Sequence, residues 1–384
     1  MRWALGSLFF VGMGAVLYGC GDGISDRHIT HTVEFLAVDL EDLLSQNYLY
    51  LYQVNQTDGS LTETAHVALS DPSAVGVSMT ISPDQHFAYI LGSGGSAQVF
   101  GYAISQSGLL TEVLGGAVTV DVSANDIKIS PDGNILQVVA GHGATPNWAT
   151  LSRNTTTGKL GTPSSVLEDG NVALGQMLFA PDGKHAYVVE LGAPHGLAAH
   201  AILGDGSPDP TSIVPVQNLG GGNIGGLMAI TPDGTLIYAP DTANHIQVCT
   251  VNPSTGVLGA FTTAFNYGSG TSGDVVVSPD GLDLYATTNA DGHVHGFAVV
   301  SGGGALSEVP GSPASQISCG TIHQPVVTAS GKWIYAICLV GDQLIRVPRN
   351  PVTGAMGAAD VSVTPGWVGA NLSPRGIRVV TVTY

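Results

Sequence analysis

Apolar and polar positions alternate in short runs along most of the chain, and a tight-turn sequence interrupts them at regular intervals. The turn sequence is Ser-Pro-Asp-Gly or a close variant, and a second apolar run follows it each time. In such a turn proline presets φ, aspartate hydrogen-bonds back to the backbone, and glycine takes a positive φ. The pattern therefore predicts β-hairpins. The seven copies begin at Ser82, Ser130, Ala180, Thr231, Ser278, Thr328 and Ser373.

The spacing of these copies predicts the fold. Successive copies lie 45 to 51 residues apart, which is the length of one four-stranded blade of a β-propeller. Two strand patterns, at 48–55 and 61–69, precede the first copy, and another, at 377–383, follows the last. We therefore predict an all-β, seven-bladed β-propeller over residues 33–384, whose last blade is closed by N-terminal outer strands and C-terminal inner strands. The run 33–40 could be a spare strand packed outside that closing blade, but the pattern does not place it.

Composition and charge limit the classes of partner and substrate that we expect for this protein. The chain has 53 Gly, 21 Pro and only 10% charged residues, which suits many short strands and turns. Eleven Lys and Arg against 29 Asp and Glu give a formal charge of −18. Such a field repels nucleic acid and anionic membrane surfaces, so we expect no nucleic-acid partner. A strongly phosphorylated substrate is also disfavoured, because phosphate usually requires clustered basic residues.

The first twenty residues have the features of an export signal. Arg2 is followed by an uncharged, mostly apolar run over 4–17, too short for a membrane span. The run ends in Leu17-Tyr18-Gly19-Cys20, which resembles the bacterial lipoprotein cleavage box despite the unusual tyrosine. We predict an exported protein of the periplasm or cell surface, attached to the membrane only through a lipid on Cys20, with 21–32 as a tether. An ordinary signal peptide is the alternative.

The remaining cysteines fit an oxidising compartment. Cys319 and Cys338 flank one predicted hairpin, where they either pair across its mouth or stay reduced. Cys249 lies in a strand pattern and is expected to be a buried free thiol.

The repeats resemble those of the seven-bladed propeller lactonase family, which includes the propeller-type 6-phosphogluconolactonases. The resemblance covers the whole mature chain and rests on the Ser-Pro-Asp-Gly turns, on Thr-Gly-x-Leu turns such as 157–160, and on aromatic strands such as 186–189 and 284–287. It implies a lactone hydrolase. Fold and activity are separable in propellers, so the site must be argued from its own residues.

Side-chain alternation divides each inner strand into two faces. Positions two and four before the turn proline are apolar in nearly every copy and are expected to pack between blades. Positions one, three and five before it then face the central channel. Three before, the residues are Thr80, Lys128, Leu178, Ala229, Val276, Val326 and Asn371. Five before, they are Ser78, Asp126, Gln176, Leu227, Asp274, Gln324 and Gly369.

The channel is thus predicted to be polar on the side of Asn371, Thr80 and Lys128 and apolar opposite. Lys128, one strand step from Asp126, is the sharpest candidate for chemistry, with a structural Lys–Asp pair as the alternative. The resemblance implies a Pro-His-x-His run before an inner strand, with a histidine that activates water. Here only His323 occupies such a position, and Thr321 replaces its companion.

The candidate catalytic residues are therefore Lys128, Asp126 and His323. The candidate ligand-binding residues are Thr80, Gln176, Glu190, Asp274, Gln324 and Asn371. No nucleotide motif occurs, no cofactor is identified, and no metal is predicted, since His293 and His295 lack a third ligand in the sequence. The predicted function is hydrolysis of a sugar or aromatic lactone at the channel mouth. The alternative is a non-catalytic lipoprotein that binds a sugar-like ligand or an envelope protein.

Overall fold

The computed structural model describes most of the chain from Thr32 onward. All secondary-structure elements in the described part are β-strands. The described residues are 32–41, 46–93, 97–141, 146–166, 173–192, 195–211, 214–217, 219, 222–268, 272–288, 292–314, 319–339, 343–362 and 373–383. Residues 1–31, with Cys20 and the predicted signal and tether, lie outside this set, as does Asn371. Among the described residues no helix is long and apolar enough to span a membrane.

The strands are numbered in chain order, and blades 1 to 6 follow the order of the turn motifs. The chain opens with three strands of blade 7: β1 (Thr32–Glu41), β2 (Asn47–Val54) and β3 (Leu61–Ala68). Blade 1 contains β4 (Val75–Ile81), β5 (Phe87–Ser93), β6 (Ala97–Ile104), β7 (Leu110–Glu112) and β8 (Val118–Val120). Blade 2 contains β9 (Asp126–Ile129), β10 (Ile135–Val139), β11 (Trp148–Ser152) and β12 (Ser164–Val166).

Blade 3 contains β13 (Leu174–Phe179), β14 (His185–Glu190), β15 (Gly196–Ala201) and β16 (Val214–Gln217). Blade 4 contains β17 (Ala229–Ile230), β18 (Leu236–Pro240), β19 (His245–Thr250) and β20 (Thr262–Asn266). Blade 5 contains β21 (Ser272–Val277), β22 (Asp283–Thr288), β23 (Val294–Val299) and β24 (Leu306–Glu308). Blade 6 contains β25 (Ile322–Val327), β26 (Trp333–Cys338), β27 (Gln343–Pro348) and β28 (Asp360–Ser362). The last strand of blade 7 is β29 (Ser373–Thr383).

The strands form seven small antiparallel sheets, one per blade, which confirms the seven-bladed β-propeller. Blades 2 to 6 each have four strands in simple sequence order. In blade 1 the outer edge is divided, because β7 and β8 both pair with β6.

Blade 7 closes the ring differently from the expectation. Its strand order is β29-β1-β2-β3, so the run 33–40 is the second strand of this blade and the idea of a spare strand outside it was wrong. The seventh turn motif was also wrong, because Ser373–Gly376 lies inside β29, where Pro374 pairs with Leu40 beside a β-bulge. The reason is topological. The partner of β29 comes from the other end of the chain, so no hairpin turn is needed there.

The predicted apolar face of the inner strands packs between blades, as expected. Met79, Ile127, Met177 and Met228 are all at most 3% exposed. The second strands add a repeated aromatic position, with the fully buried tyrosines Tyr89, Tyr187, Tyr238, Tyr285 and Tyr335. Each such ring removes roughly 150–250 Å² of mostly apolar surface from water, so these side chains dominate the contacts between blades.

Most of these tyrosines also link neighbouring blades by a hydrogen bond. The hydroxyl of Tyr89 donates to the carbonyl of Gly158 in the next blade at 2.7 Å. The same bond joins Tyr238 to Gly304, Tyr285 to Gly354 and Tyr335 to Gly59. The accepting glycines belong to the second turn of each blade and have positive φ, which a side chain would strain.

The turn motifs are closed by one repeated arrangement. Ser130 Oγ donates to Asp132 at 2.5 Å and accepts the N–H of Ile135 at 3.0 Å. The blade 5 turn repeats it with Ser278, Asp280 and Asp283. This end of the channel therefore serves the fold.

Two arginines brace blade junctions just outside these turns. Arg153 donates from Nε to Tyr89 Oη at 2.8 Å, from Nη1 to the carbonyl of Gly133 at 3.0 Å, and from Nη2 to Asp84 at 2.9 Å. Arg349, in blade 6, makes the equivalent set of bonds to Tyr285, Gly331 and the carboxylates of blade 5. Both guanidinium groups are buried, so two of the few cations of this chain are structural.

The cysteines divide as the sequence suggested. Cys319 and Cys338 form a disulfide, with 5.9 Å between their Cα atoms. Cys249 is a buried free thiol, and burial raises its pKa to about 12. Cys249 is therefore protonated and inert at neutral pH.

Candidate active site in the central channel

One end of the channel holds a small polar cavity, which is the candidate site. It has a volume of about 170 Å³. We call the residues five positions before the turn proline the upper ring. Five of the six upper-ring residues predicted in blades 1 to 6 line the cavity, as the alternation required. Its lining residues are Val77, Ser78, Asn125, Asp126, Gln176, Leu227, Gln324 and Arg378.

Lys128 and Asp126 form a close pair at this cavity. Lys128 Nζ lies 2.6 Å from both carboxylate oxygens of Asp126. Asp126 also accepts hydrogen bonds from Ser78 Oγ at 2.7 Å and from the N–H of Met177 in the next blade at 2.9 Å. Burial lowers the pKa of Lys128, and the nearby charge of Arg378 lowers it further, against the opposing effect of Asp126. The structure thus brings these two candidates together, in a pair that also joins blades 1, 2 and 3.

Asp274 and His323 form a second pair. His323 Nδ1 lies 3.3 Å from Asp274 Oδ2, and the same oxygen accepts the N–H of Gln324 at 2.7 Å. The other oxygen accepts the N–H of Leu227 at 2.7 Å. Burial alone raises the pKa of Asp274, but these hydrogen bonds outweigh it, so the net pKa lies below the ordinary value. Asp274 is therefore an anion that holds the His323 ring by Nδ1 and leaves Nε2 for a ligand or water.

The local backbone explains how Asp274 reaches two blades. β25 has a β-bulge between His323 and Val326, and Gln324 has a φ of +49° within it. A non-glycine residue seldom adopts this conformation, and such residues cluster at functional sites. The bulge directs the Gln324 N–H to Asp274, while Gln324 Oε1 accepts from the N–H of Ile377 in blade 7 at 3.3 Å.

Arg378 is the main residue that the sequence interpretation missed. Arg378 pairs with Ala37 of β1. At the equivalent position of blade 2, Lys128 pairs with Gln137. The expected channel position of Asn371 in blade 7 is therefore occupied by Arg378, and Asn371 itself lies outside the described residues. The signal was present, because Arg378 is the one charged residue of the predicted strand 377–383.

The guanidinium of Arg378 is only partly used by the protein. Nη1 donates to the carbonyl of Ile377 at 2.7 Å and contacts Gln324 Oε1 at 3.4 Å. Nε and Nη2 make no hydrogen bond to a described residue. Burial lowers the pKa of Arg378, while Asp126 and Asp274 raise it. Asp126 and Arg378 thus line the cavity, Lys128 is bound to Asp126, and Arg378 has donors to spare.

The other candidates lie at different places. Gln176 lines the cavity, and its amide oxygen accepts the N–H of Met228 at 2.5 Å. Thr80 is buried one ring lower, opposite Tyr89. Glu190 is buried at the end of β14 and does not line this cavity. Across the described part of the chain, no group of three or more His, Cys, Asp or Glu residues is placed to hold a metal ion.

The fold and the cavity agree with the family comparison. The chain matches the family model described as lactonase, 7-bladed beta-propeller, over residues 49–367, which is more than half of its length. The protein belongs to this lactonase family. A search of curated proteins gives no match.

Solved structures of low identity share the fold. The periplasmic gluconolactonase of Pseudomonas aeruginosa superposes with a TM-score of 0.70 at 20% identity, covering 91% of this chain and 99% of that one. A Bacteroides fragilis protein proposed to be a 6-phosphogluconolactonase gives a TM-score of 0.69 at 16% identity, covering 94% of this chain and 100% of that one. At these identities the likeness establishes the architecture alone.

Proposed function

We propose that the protein hydrolyses a sugar or aromatic lactone at the upper end of the channel. The observation that supports this most is that Gln324 connects the two groups: its N–H donates to Asp274, which holds His323, and its Oε1 contacts Nη1 of Arg378. A base and an oxyanion donor are the two groups that ester hydrolysis needs.

The chemistry follows from these positions. His323 Nε2 takes a proton from a water molecule, whose oxygen attacks the lactone carbonyl carbon. The carbonyl π electrons move to its oxygen, and the resulting oxyanion is stabilised by Arg378. The oxyanion then collapses, the ring C–O bond breaks, and His323 returns the proton to the leaving alkoxide. The product is an open-chain hydroxy acid. Asp274 holds the imidazole and stabilises its charged form.

Lys128 and Asp126 have a supporting role in this proposal. Both carboxylate oxygens of Asp126 already accept several hydrogen bonds, so it is a poor base. Lys128 adds positive charge near the oxyanion. A phosphate would need more cations than Lys128 and Arg378 can offer against two carboxylates, so a phosphorylated lactone is not the proposed substrate.

A second function has its own support. Three upper-ring side chains accept hydrogen bonds from backbone N–H groups of neighbouring blades: Asp126, Gln176 and Asp274. These bonds give the three residues a structural role that does not depend on catalysis. The second histidine of the family's motif is also missing. The second proposed function is therefore the binding of a sugar-like ligand without turnover.

The deciding experiment incubates the purified mature domain with a panel of sugar and aromatic lactones and measures the release of acid. His323→Ala should lower kcat/KM by about 10²- to 10⁴-fold, the usual effect of losing a general base. His86→Ala is the matched control, because His86 is exposed at a turn outside the channel. Equal rates in both variants, or no turnover with saturable binding, would exclude the hydrolase and favour the binding protein.

We further propose that the protein is exported and lipid-anchored through Cys20. The sequence of the first twenty residues supports export, and so does the Cys319–Cys338 disulfide, which requires an oxidising compartment. Metabolic labelling with a fatty acid should mark the full-length protein and not its Cys20→Ser variant. Label on both variants would contradict the anchor.

A further inference from the structure

A groove between blades 4 and 5 stands at the turn side of the propeller, away from the channel cavity. It has a volume of about 560 Å³. Asp233 and Gly281 line it together with the apolar side chains of Leu236, Leu282 and Val300. Leu282 and Val300 are 62% and 46% exposed, which is unusual for aliphatic residues in this chain.

The groove occupies the position that an arginine fills at two other junctions. The N–H of Val299 donates to the carbonyl of Leu282, just as the N–H of Arg153 donates to that of Asn134. The same bond joins Arg349 to Lys332. Val299 is therefore the structural equivalent of both arginines, and its short side chain leaves their space open.

The acceptors of the arginine site are retained although the arginine is absent. Asp233 stands where Asp84 accepts Arg153 Nη2, and Gly281 stands where Gly133 accepts Nη1. Tyr238 corresponds to Tyr89, and its hydroxyl makes the same bond to a glycine carbonyl of the next blade. None of these three groups accepts a cation from a described residue.

The carboxylate in the groove is charged. A hydrogen bond from Thr231 is the largest influence and lowers the pKa of Asp233, with help from Thr235. At the neighbouring junction of blades 3 and 4, the carboxylate equivalent to Asp233 is Asp182, and His185 lies 3.9 Å from it. Of the four junctions compared, that of blades 4 and 5 combines this charged carboxylate with the groove described above.

We propose that this groove binds an arginine side chain of a partner polypeptide. The guanidinium takes the place that Arg153 and Arg349 occupy within the chain, donating to Asp233 and to the carbonyl of Gly281. The exposed Leu282 and Val300 contact an aliphatic residue beside that arginine. Charge complementarity supports a cationic partner, since the protein carries a formal charge of −18.

The test uses capped tripeptides Leu-Arg-Leu and Leu-citrulline-Leu with the purified mature protein in isothermal titration calorimetry. Citrulline keeps the shape of arginine and removes its charge. We expect the arginine peptide to bind at least about tenfold more tightly, because hydrogen bonds to a charged group are the strong ones. Equal affinities, or no binding of either peptide, would overturn the proposal.

Variants locate the binding. Asp233→Asn should weaken the arginine peptide about tenfold, whereas Asp182→Asn, the equivalent carboxylate beside His185, should leave it unchanged. Val299→Arg should fill the groove from within, abolish peptide binding and raise the Tm. Unchanged binding in Asp233→Asn would overturn the proposal whether or not Val299→Arg folds. Lactone turnover, if present, should be unaffected by all three variants, so this test is independent of the proposed hydrolysis.

Discussion

The two ends of the central channel are built on different plans. At the turn end, four blades in the described part of the chain repeat one arrangement, a Ser or Thr hydroxyl that donates to the Asp of its own turn, as Ser130 does to Asp132. At the upper end the equivalent positions of blades 1 to 6 hold four residue types, Ser, Asp, Gln and Leu, and the hydrogen bonds of the polar ones cross to neighbouring blades.

The contrast separates residues that serve the fold from residues available for a ligand. A repeated residue solves a problem that every blade has, such as closing a hairpin. A residue present in one blade, such as His323, Lys128 or Arg378, cannot be required by the blade as such. The variants below test this division by changing matched residues at the two ends.

The largest effect is expected from Arg378→Gln. Removing the guanidinium should lower kcat/KM for a lactone by about 10²- to 10³-fold, which is typical for loss of one oxyanion donor. The Tm should change little, because Gln can keep the bond to the carbonyl of Ile377. Steady-state kinetics and thermal unfolding on the same sample measure both. A rate within twofold of wild type would remove Arg378 from the mechanism.

Arg153→Met is the counterpart at the turn end. It leaves Tyr89, Gly133 and Asp84 without their donor, which should lower the free energy of unfolding by about 2–3 kcal/mol. The remaining folded protein should keep its kcat/KM, since Arg153 bonds to groups at the turn end and does not line the cavity. Urea unfolding gives the stability. If turnover fell together with stability, the two ends would not be independent.

The sequence alone was sufficient for most of this picture. Six of the seven turn motifs were located correctly because a hairpin is local, so its proline, aspartate and glycine specify it without help from distant residues. The upper-ring positions Asp126, Gln176, Asp274 and Gln324 followed from counting along those hairpins.

The main failures lie in blade 7. There β29 pairs with a strand about 340 residues away in sequence, and no local pattern fixes that register. The motif at Ser373 was therefore taken for a turn, and Arg378 was missed. The pairing of Asp274 with His323 also crosses two blades, so it could not be derived from either strand alone.

A pair of serines gives a smaller and more direct comparison. Ser130→Ala should cost about 1 kcal/mol of stability, the usual worth of a hydrogen bond, without changing turnover. Ser78→Ala removes one of the donors to Asp126 at the other end and should change KM or kcat as well, because Asp126 lines the cavity. Identical behaviour of the two variants would argue against distinct roles for the two ends.

The most gradual effect is on acid stability. The folded pKa of Asp274 lies below its unfolded value of about 3.9. Its contribution to stability is therefore complete above the unfolded pKa and is lost as the pH falls toward the folded pKa. Unfolding measured from pH 5 down to pH 2 should show a shallower loss in Asp274→Asn than in wild type. Parallel curves would mean that Asp274 is not an anion in the folded protein.

The way blade 7 closes also bears on how the protein is made. β29 is the innermost strand of its sheet, yet it follows every other described strand along the chain and so emerges from the ribosome long after its partner β1. Until β29 arrives, β1 presents a free sheet edge that can pair with other chains. Synthesis interrupted before β29 therefore leaves an open ring with an exposed edge on β1, and pairing of β29 covers that edge.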